Sequence, residues 1–256
     1  VKVLWVFAHP EQASLNGSVL QEGLRILDEL GHEYQVSDLY AMKWKAALDR
    51  DDYTTDTDGR FSVSRASQRA FRSGTLSADI AAEQRKLQWA DLVVLQFPLW
   101  WYSVPAILKG WIDRVFVKGF AYGIVDPENP GRTLRYGDGP LAGRKALTIL
   151  TSGSPPAPLG PRGINGQLDQ VLFPLLHGTL WYVGIAPLEP MPLFGADRLS
   201  EHEFDAATAE LRHRLEGVDS EEPIGYRRQN GGDYDADLVL RPELAPGESG
   251  ISVHRR

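Results

Sequence analysis

Asp91-Leu92-Val93-Val94-Leu95-Gln96-Phe97, running into Pro98-Leu99-Trp100-Trp101-Tyr102-Ser103-Val104 and then Pro105, reads as a strand, a loop and a helix start. The opening run is nearly all apolar, as expected of a parallel strand covered on both faces. Pro105 brings the backbone angle favoured at the head of a helix. Between them stand three adjacent aromatic residues, which in a loop cannot all face a core and offer flat faces for stacking a planar ring.

The same unit recurs along the chain. Residues 1–8 form a short apolar run. After the polar loop 9–16, Val19, Leu20, Leu24, Ile26, Leu27 and Leu30 recur at helical spacing, and Gly31 stands where a helix ends in the left-handed region. Residues 34–39 read as a second strand, 45–75 as a polar, irregular excursion, and 77–90 as a helix. A Gly/Pro-rich insertion at 123–143 precedes a strand at 145–150. A helix near 164–182, a strand near 185–194 and a helix near 200–216 follow. Strands alternating with helices predict an α/β, flavodoxin-like, doubly wound parallel sheet. Residues 1–216 read as one catalytic domain, and the Pro/Gly/Asp-rich 217–256 as an extension packing on that domain or on a dimer partner.

Composition narrows the chemistry. A net charge of −7 disfavours nucleic acid and anionic membranes as partners. With no cysteine there is no thiol nucleophile, disulfide or Cys-held metal, in keeping with a cytoplasmic location. No run approaches a membrane span, and no targeting segment is expected at residues 1–8. Asn16-Gly17-Ser18 fits the glycosylation pattern only by chance.

Right-handed crossovers would bring the strand-to-helix loops to one edge of the sheet. His9-Pro10-Glu11-Gln12-Ala13-Ser14-Leu15-Asn16 opens a helix and suits a phosphate, although Ser14 and Asn16 are also ordinary capping residues. The Pro98–Pro105 loop brings the aromatics, and Thr151-Ser152-Gly153-Ser154 brings small residues and backbone amides. Together they point to a planar, phosphate-bearing cofactor, which a flavin satisfies.

From Leu95 through Lys109-Gly110-Trp111 to Phe116, then Phe120-Ala121-Tyr122, the chain resembles the NAD(P)H:quinone oxidoreductases of the DT-diaphorase type and their bacterial relatives. Ser37 to Met42, residues 9–16, Leu76 to Ile80 and Gly163-Ile164 extend the resemblance in family order. It implies a homodimer with one FAD per subunit, FMN being the lesser alternative. It also implies a two-step reaction in which NAD(P)H and a quinone take turns at one flavin face. Carried over by position, His9, Ser14, Leu15 and Asn16 would hold the diphosphate. Pro98, Leu99, Trp100, Trp101 and Tyr102 would form a wall of the ring site. Thr151, Ser152, Gly153 and Ser154 would lie beside the pyrimidine end, where the Gly153 and Ser154 amides are the candidate catalytic donors. Trp101, Tyr102, Tyr122, Ile124 and Leu159 are the candidate substrate contacts.

The departures are specific. The family's Tyr–His pair is replaced by Leu159 and Asn165, neither an acid nor a base at neutral pH, so Asn165 and Arg162 are the side chains left to assist. Ile124 replaces a pocket tyrosine. Phe204 stands where an arginine meets the adenine side, leaving Arg198 as a stand-in. Of a two-His-plus-Cys zinc site in some relatives only His177 remains, with Trp181 at the second position, so no metal is expected. Gly137-Asp138-Gly139-Pro140-Leu141-Ala142 resembles a dinucleotide fingerprint but follows no strand, and Asp56-Thr57-Asp58-Gly59 resembles a calcium loop without its terminal acid; both read as turns. A different class stays open, a flavin-binding regulatory subunit of a glutathione-gated potassium efflux system. A single-electron carrier is weaker.

Overall fold

The computed structural model describes residues 1–53 and 59–256. Asp56 to Asp58, read from the sequence as part of a turn, lie outside them. Its centre is a six-stranded, wholly parallel sheet of β1 (Lys2–Phe7), β2 (Glu33–Asp38), β3 (Leu92–Pro98), β4 (Lys145–Ser152), β5 (Ala186–Pro187) and β6 (Met191–Phe194). The order is β2-β1-β3-β4-β5, with β6 pairing further along β4.

Both faces of the sheet are covered, which is why its central strands are apolar throughout. Along β1, Val3, Trp5 and Phe7 pack with α1 (Leu15–Leu30) and the last helix, Glu201–Glu216. Leu4 and Val6 point the other way, toward α3 (Ala78–Trp89) and α4 (Ala106–Val115). Gly31 closes α1 at φ 70°, as its position predicted.

Four expectations need correction. Residues 45–75 are not irregular throughout: Val63–Ser73 is a helix, α2, whose only buried residues, Ala66, Ser67 and Ala70, are too small to mark an apolar stripe. The helix near 164–182 begins at Leu168 as α5 (Leu168–Leu175) and loosens into a π-helical segment, Leu176–Trp181. Pro174 lies inside it, and its carbonyl accepts a 2.9 Å bond from the Thr179 hydroxyl. The strand near 185–194 is two short strands, since Pro187 and Pro190 interrupt one ladder. Finally, β4 runs to Ser152, so Thr151 and Ser152 end a strand instead of beginning a loop.

Gly137 and Gly139 have a packing role. A Cβ on Gly137 would stand 2.3 Å from the Trp181 ring, and one on Gly139 2.3 Å from the Val183 backbone. The insertion therefore lies flat on the π-helical turn. Residues beyond the last helix, α6, continue over this surface. Ile224 and Tyr226 are buried, the Ile224 amide donates to Pro187 O at 2.8 Å, and Arg228 pairs with Asp138 at 2.6 Å.

Below the aromatic loop, Arg114 of α4 is buried and pairs with Asp52 and Asp79, each at 2.8 Å. Its guanidinium also covers the Trp44 ring at 4.5 Å. A buried pair of this kind contributes little net stability but is costly to break, so it anchors the register of α3 against α4.

Candidate functional site

The carboxyl ends of β1, β3 and β4 bring the three loops together. In the first, Ser14 caps α1 by accepting from the Gly17 amide at 3.2 Å and donates to Glu11 O at 2.6 Å. The ordinary capping role is thus real, and the first-turn amides that it leaves open still face outward from the helix end. His9 Nδ1 lies 3.0 Å from Ser14 Oγ, 3.0 Å from Glu11 O and 3.1 Å from the Glu11 amide, contacts that fix the ring against the loop.

The second loop is a tight turn. Ser103 N donates to Trp100 O at 3.1 Å, and Trp101 and Tyr102 between them adopt φ 52° and 58°. Left-handed backbone costs a non-glycine residue roughly 1–2 kcal/mol, and such strain gathers where the surroundings fix a functional geometry. Here it turns the rings outward: Trp101 is 95% exposed and Tyr102 49%.

Direct contacts tie the loops. Leu99 N donates to Thr151 O at 2.8 Å, Asn16 Nδ2 to Thr151 Oγ1 at 2.8 Å, and the His9 and Trp100 rings lie 6.2 Å apart. Beneath them, Trp5 Nε1 donates to Gln96 Oε1 at 2.9 Å, and Gln96 Nε2 donates to Asn16 O at 2.7 Å. Sequence reasoning quoted Gln96 without giving it a role. Its signal was a lone amide in an otherwise apolar strand. Asn16 is buried, which removes it as a glycosylation acceptor, yet its Oδ1 has no protein partner. If the Thr151 hydroxyl donates to the amide oxygen instead, the NH2 is the open group. Either way one buried polar atom at the head of α1 is left for a ligand.

The third loop is held from two sides. Ser154 N donates to Ser152 Oγ at 3.2 Å, and Gly195 N donates to Ser154 O at 3.1 Å. A Cβ on Gly153 would come within 3.3 Å of Asp197 Oδ2. Asn165 reaches this loop, its Nδ2 lying 3.4 Å from Ser154 Oγ. Leu159 is buried, whereas Arg162 and Arg198 are exposed. Tyr122 and Ile124 lie on the loop after α4.

Known proteins share this sequence and fold. The profile of a family described as having a flavodoxin-like fold matches residues 1–216. The mouse ribosyldihydronicotinamide dehydrogenase (quinone) is 42% identical over 225 residues, spanning 87% of this chain and 94% of its own length. The chain belongs to the NAD(P)H:quinone oxidoreductase family. The Cavia porcellus NAD(P)H dehydrogenase (quinone) 1 is 34% identical over 247 residues, covering 95% of this chain and 87% of its own. A Klebsiella pneumoniae protein solved under a quinone reductase name superposes with a TM-score of 0.95 at 49% identity, over 100% of this chain and 99% of its own. Within the quinone oxidoreductase family the fold and the resemblance read from the sequence therefore stand. None of these relatives supports the potassium-efflux reading. Among the described residues no helix is long and apolar enough to cross a membrane.

Proposed function

We propose that the chain is a flavin-dependent oxidoreductase that reduces quinones with a dihydronicotinamide donor, and that its flavin is FAD. The observation that carries this reading is the joining of three unlike loops, a capped helix head, an outward aromatic turn and a Ser/Gly strand end, through Asn16, Thr151 and Leu99. The head of α1, with His9, Ser14, Leu15 and Asn16, would hold the diphosphate. Pro98 through Tyr102 would cover the ring, and Arg198 would meet the adenine side.

Bound there, the flavin supplies a carrier that accepts hydride from the donor and returns it to the quinone. The protein's own part is positioning and charge. The Gly153 amide would meet the edge where negative charge collects, with Ser154 N held against Ser152 Oγ behind it, and a fixed N–H donor stabilises such charge without reorganising. Asn165 steadies the same loop through Ser154. Trp101 and Tyr102 would shield one side of a bound ring from water. A homodimer in which each protomer completes the other's substrate wall would give the exposed Trp101 and Tyr102 rings a surface to bury. The donor is read as NAD(P)H, although the mouse relative's name specifies ribosyldihydronicotinamide. A cytoplasmic location accords with a chain free of cysteine.

Mass spectrometry of the chromophore released on denaturation tests the reading. FAD is expected. FMN alone would overturn the FAD assignment, and a protein that binds neither flavin would overturn the function.

A further inference from the structure

The extension beyond α6 is rooted firmly before it reaches the insertion at 123–143. Lys145, the first residue of β4, donates through its ammonium to three main-chain carbonyls: Val218 O at 2.8 Å, Asp219 O at 2.9 Å and Glu221 O at 2.8 Å. These carbonyls follow the C-terminal end of α6, where a cation is favoured. Arg214 of α6 pairs with the Glu221 carboxylate at 2.6 Å, so the turn is held from two sides. From this root the chain runs past Ile224 to Gln229 and Asn230.

Gln229 is buried and turns every polar group but its carbonyl toward one segment. Its Oε1 accepts from Arg135 Nε at 2.8 Å, its Nε2 donates to Thr133 O at 3.0 Å, and its backbone N–H donates to Tyr136 O at 3.1 Å. A guanidinium only donates and a carbonyl only accepts, so the amide has a single orientation. Among the described residues, the hydrogen bonds that reach Thr133 and Arg135 from outside the insertion come from Gln229. The segment it grips is one side of a short antiparallel hairpin. Leu134 N donates to Ile124 O at 2.8 Å, Val125 bridges to Thr133, and Asp126 N donates to Arg132 O at 3.0 Å. Asn230 meets the other side. Its Nδ2 donates at 3.2 Å to the Asp126 carboxylate, which closes the hairpin turn by accepting from the Glu128 amide at 2.9 Å.

We propose that Gln229 is a positioning residue for quinone binding: it fixes the strand at Thr133–Tyr136 and, through Leu134, the place of Ile124 on the substrate wall. The inference rests on the reading of Ile124 as a substrate contact. A hairpin that has lost this grip must be ordered by each incoming quinone, and ordering a wall weakens binding. Hydride transfer depends on the three flavin loops, to which Gln229 makes no hydrogen bond, so the cost falls on KM and not on kcat.

Steady-state kinetics of the flavin-loaded enzyme with 1,4-naphthoquinone test this. Gln229→Met keeps the length of the side chain and removes both polar ends. It should raise the quinone KM at least fivefold, with kcat and flavin affinity within twofold. A purely structural role would scale kcat with the folded fraction and leave KM alone. Ile124→Ala should raise KM as well, and adding Gln229→Met to it should change KM by less than twofold, because the two act at one place. Gln229→Glu keeps an acceptor for Arg135 and gives up the bond to Thr133, so KM should rise two- to threefold; this variant carries the test if Gln229→Met fails to fold. An unchanged KM in Gln229→Met, or in Gln229→Glu where it stands in, would overturn the proposal, as would a full additional rise in the Ile124→Ala background. A KM unchanged by Ile124→Ala would overturn the substrate-wall reading itself, and the inference with it.

Discussion

Replacing Gln96 by leucine removes the amide that joins β1, β3 and the head of α1. Trp5 is fully buried, and its Nε1 has Gln96 Oε1 as its partner at 2.9 Å. A buried donor left without an acceptor costs about 1–3 kcal/mol, and the lost Gln96–Asn16 bond adds about 1 kcal/mol. Asn16 O keeps its place in the helix, and leucine restores part of the apolar contact, so a net loss of about 2 kcal/mol is expected. For a chain of this size that lowers the melting temperature by roughly 4–8 °C. Because Asn16 is then tied to the sheet through Thr151 alone, flavin affinity should fall by about tenfold, or about 1.4 kcal/mol. Urea unfolding of the apoprotein and fluorescence titration with flavin measure the two effects. Trp5→Phe together with Gln96→Leu should recover part of the stability, since the orphaned donor is gone. A loss under about 0.5 kcal/mol with flavin affinity unchanged would refute the reasoning, given that surface-like changes stay within that range.

Asn165→Ala should slow stopped-flow flavin reduction by less than about tenfold if the Ser152–Ser154 backbone carries the charge; a hundredfold loss with flavin bound would make Asn165 a working replacement for the family's histidine. His177 titrates near 4 when folded and near 6.5 when unfolded. The unfolded chain therefore binds more protons between those values, and stability is complete above about pH 6.5 and declines as the pH falls toward 4, by up to about 3 kcal/mol. His177→Phe should flatten that slope in acid unfolding curves, and an unchanged slope would contradict the assignment. Trp101→Gly should relieve left-handed strain and raise the apoprotein's melting temperature by about 2–4 °C while weakening flavin binding; a lower melting temperature would mean that the indole is already packed.

The fold was legible because its strands are buried on both faces. Runs such as 1–8 and 91–97 are apolar without alternation, and caps such as Gly31 close the helices between them. The site loops were legible for a related reason: Trp100, Trp101 and Tyr102 have no way to be buried together. What failed was local. The helix at Val63–Ser73 does place Ala66, Ala70 and Phe71 at helical spacing, but small residues among Arg, Ser and Gln make the stripe easy to pass over. The change from α5 to a π-helical turn after Leu175 depends on how the widened turn is completed, here by the Thr179 hydroxyl donating to Pro174 O. Gln96 went unassigned because its partners, Trp5 and Asn16, are distant in the chain. The stacking of His254 on His177 was out of reach for the same reason, as it forms only after the extension has folded back.

The central claim is that donor and acceptor alternate at one face of a flavin held by these three loops. Initial-rate kinetics of the flavin-loaded enzyme, varying NAD(P)H at several fixed quinone concentrations, test it most directly. Parallel double-reciprocal lines are predicted; intersecting lines, the mark of both substrates bound at once, would contradict it.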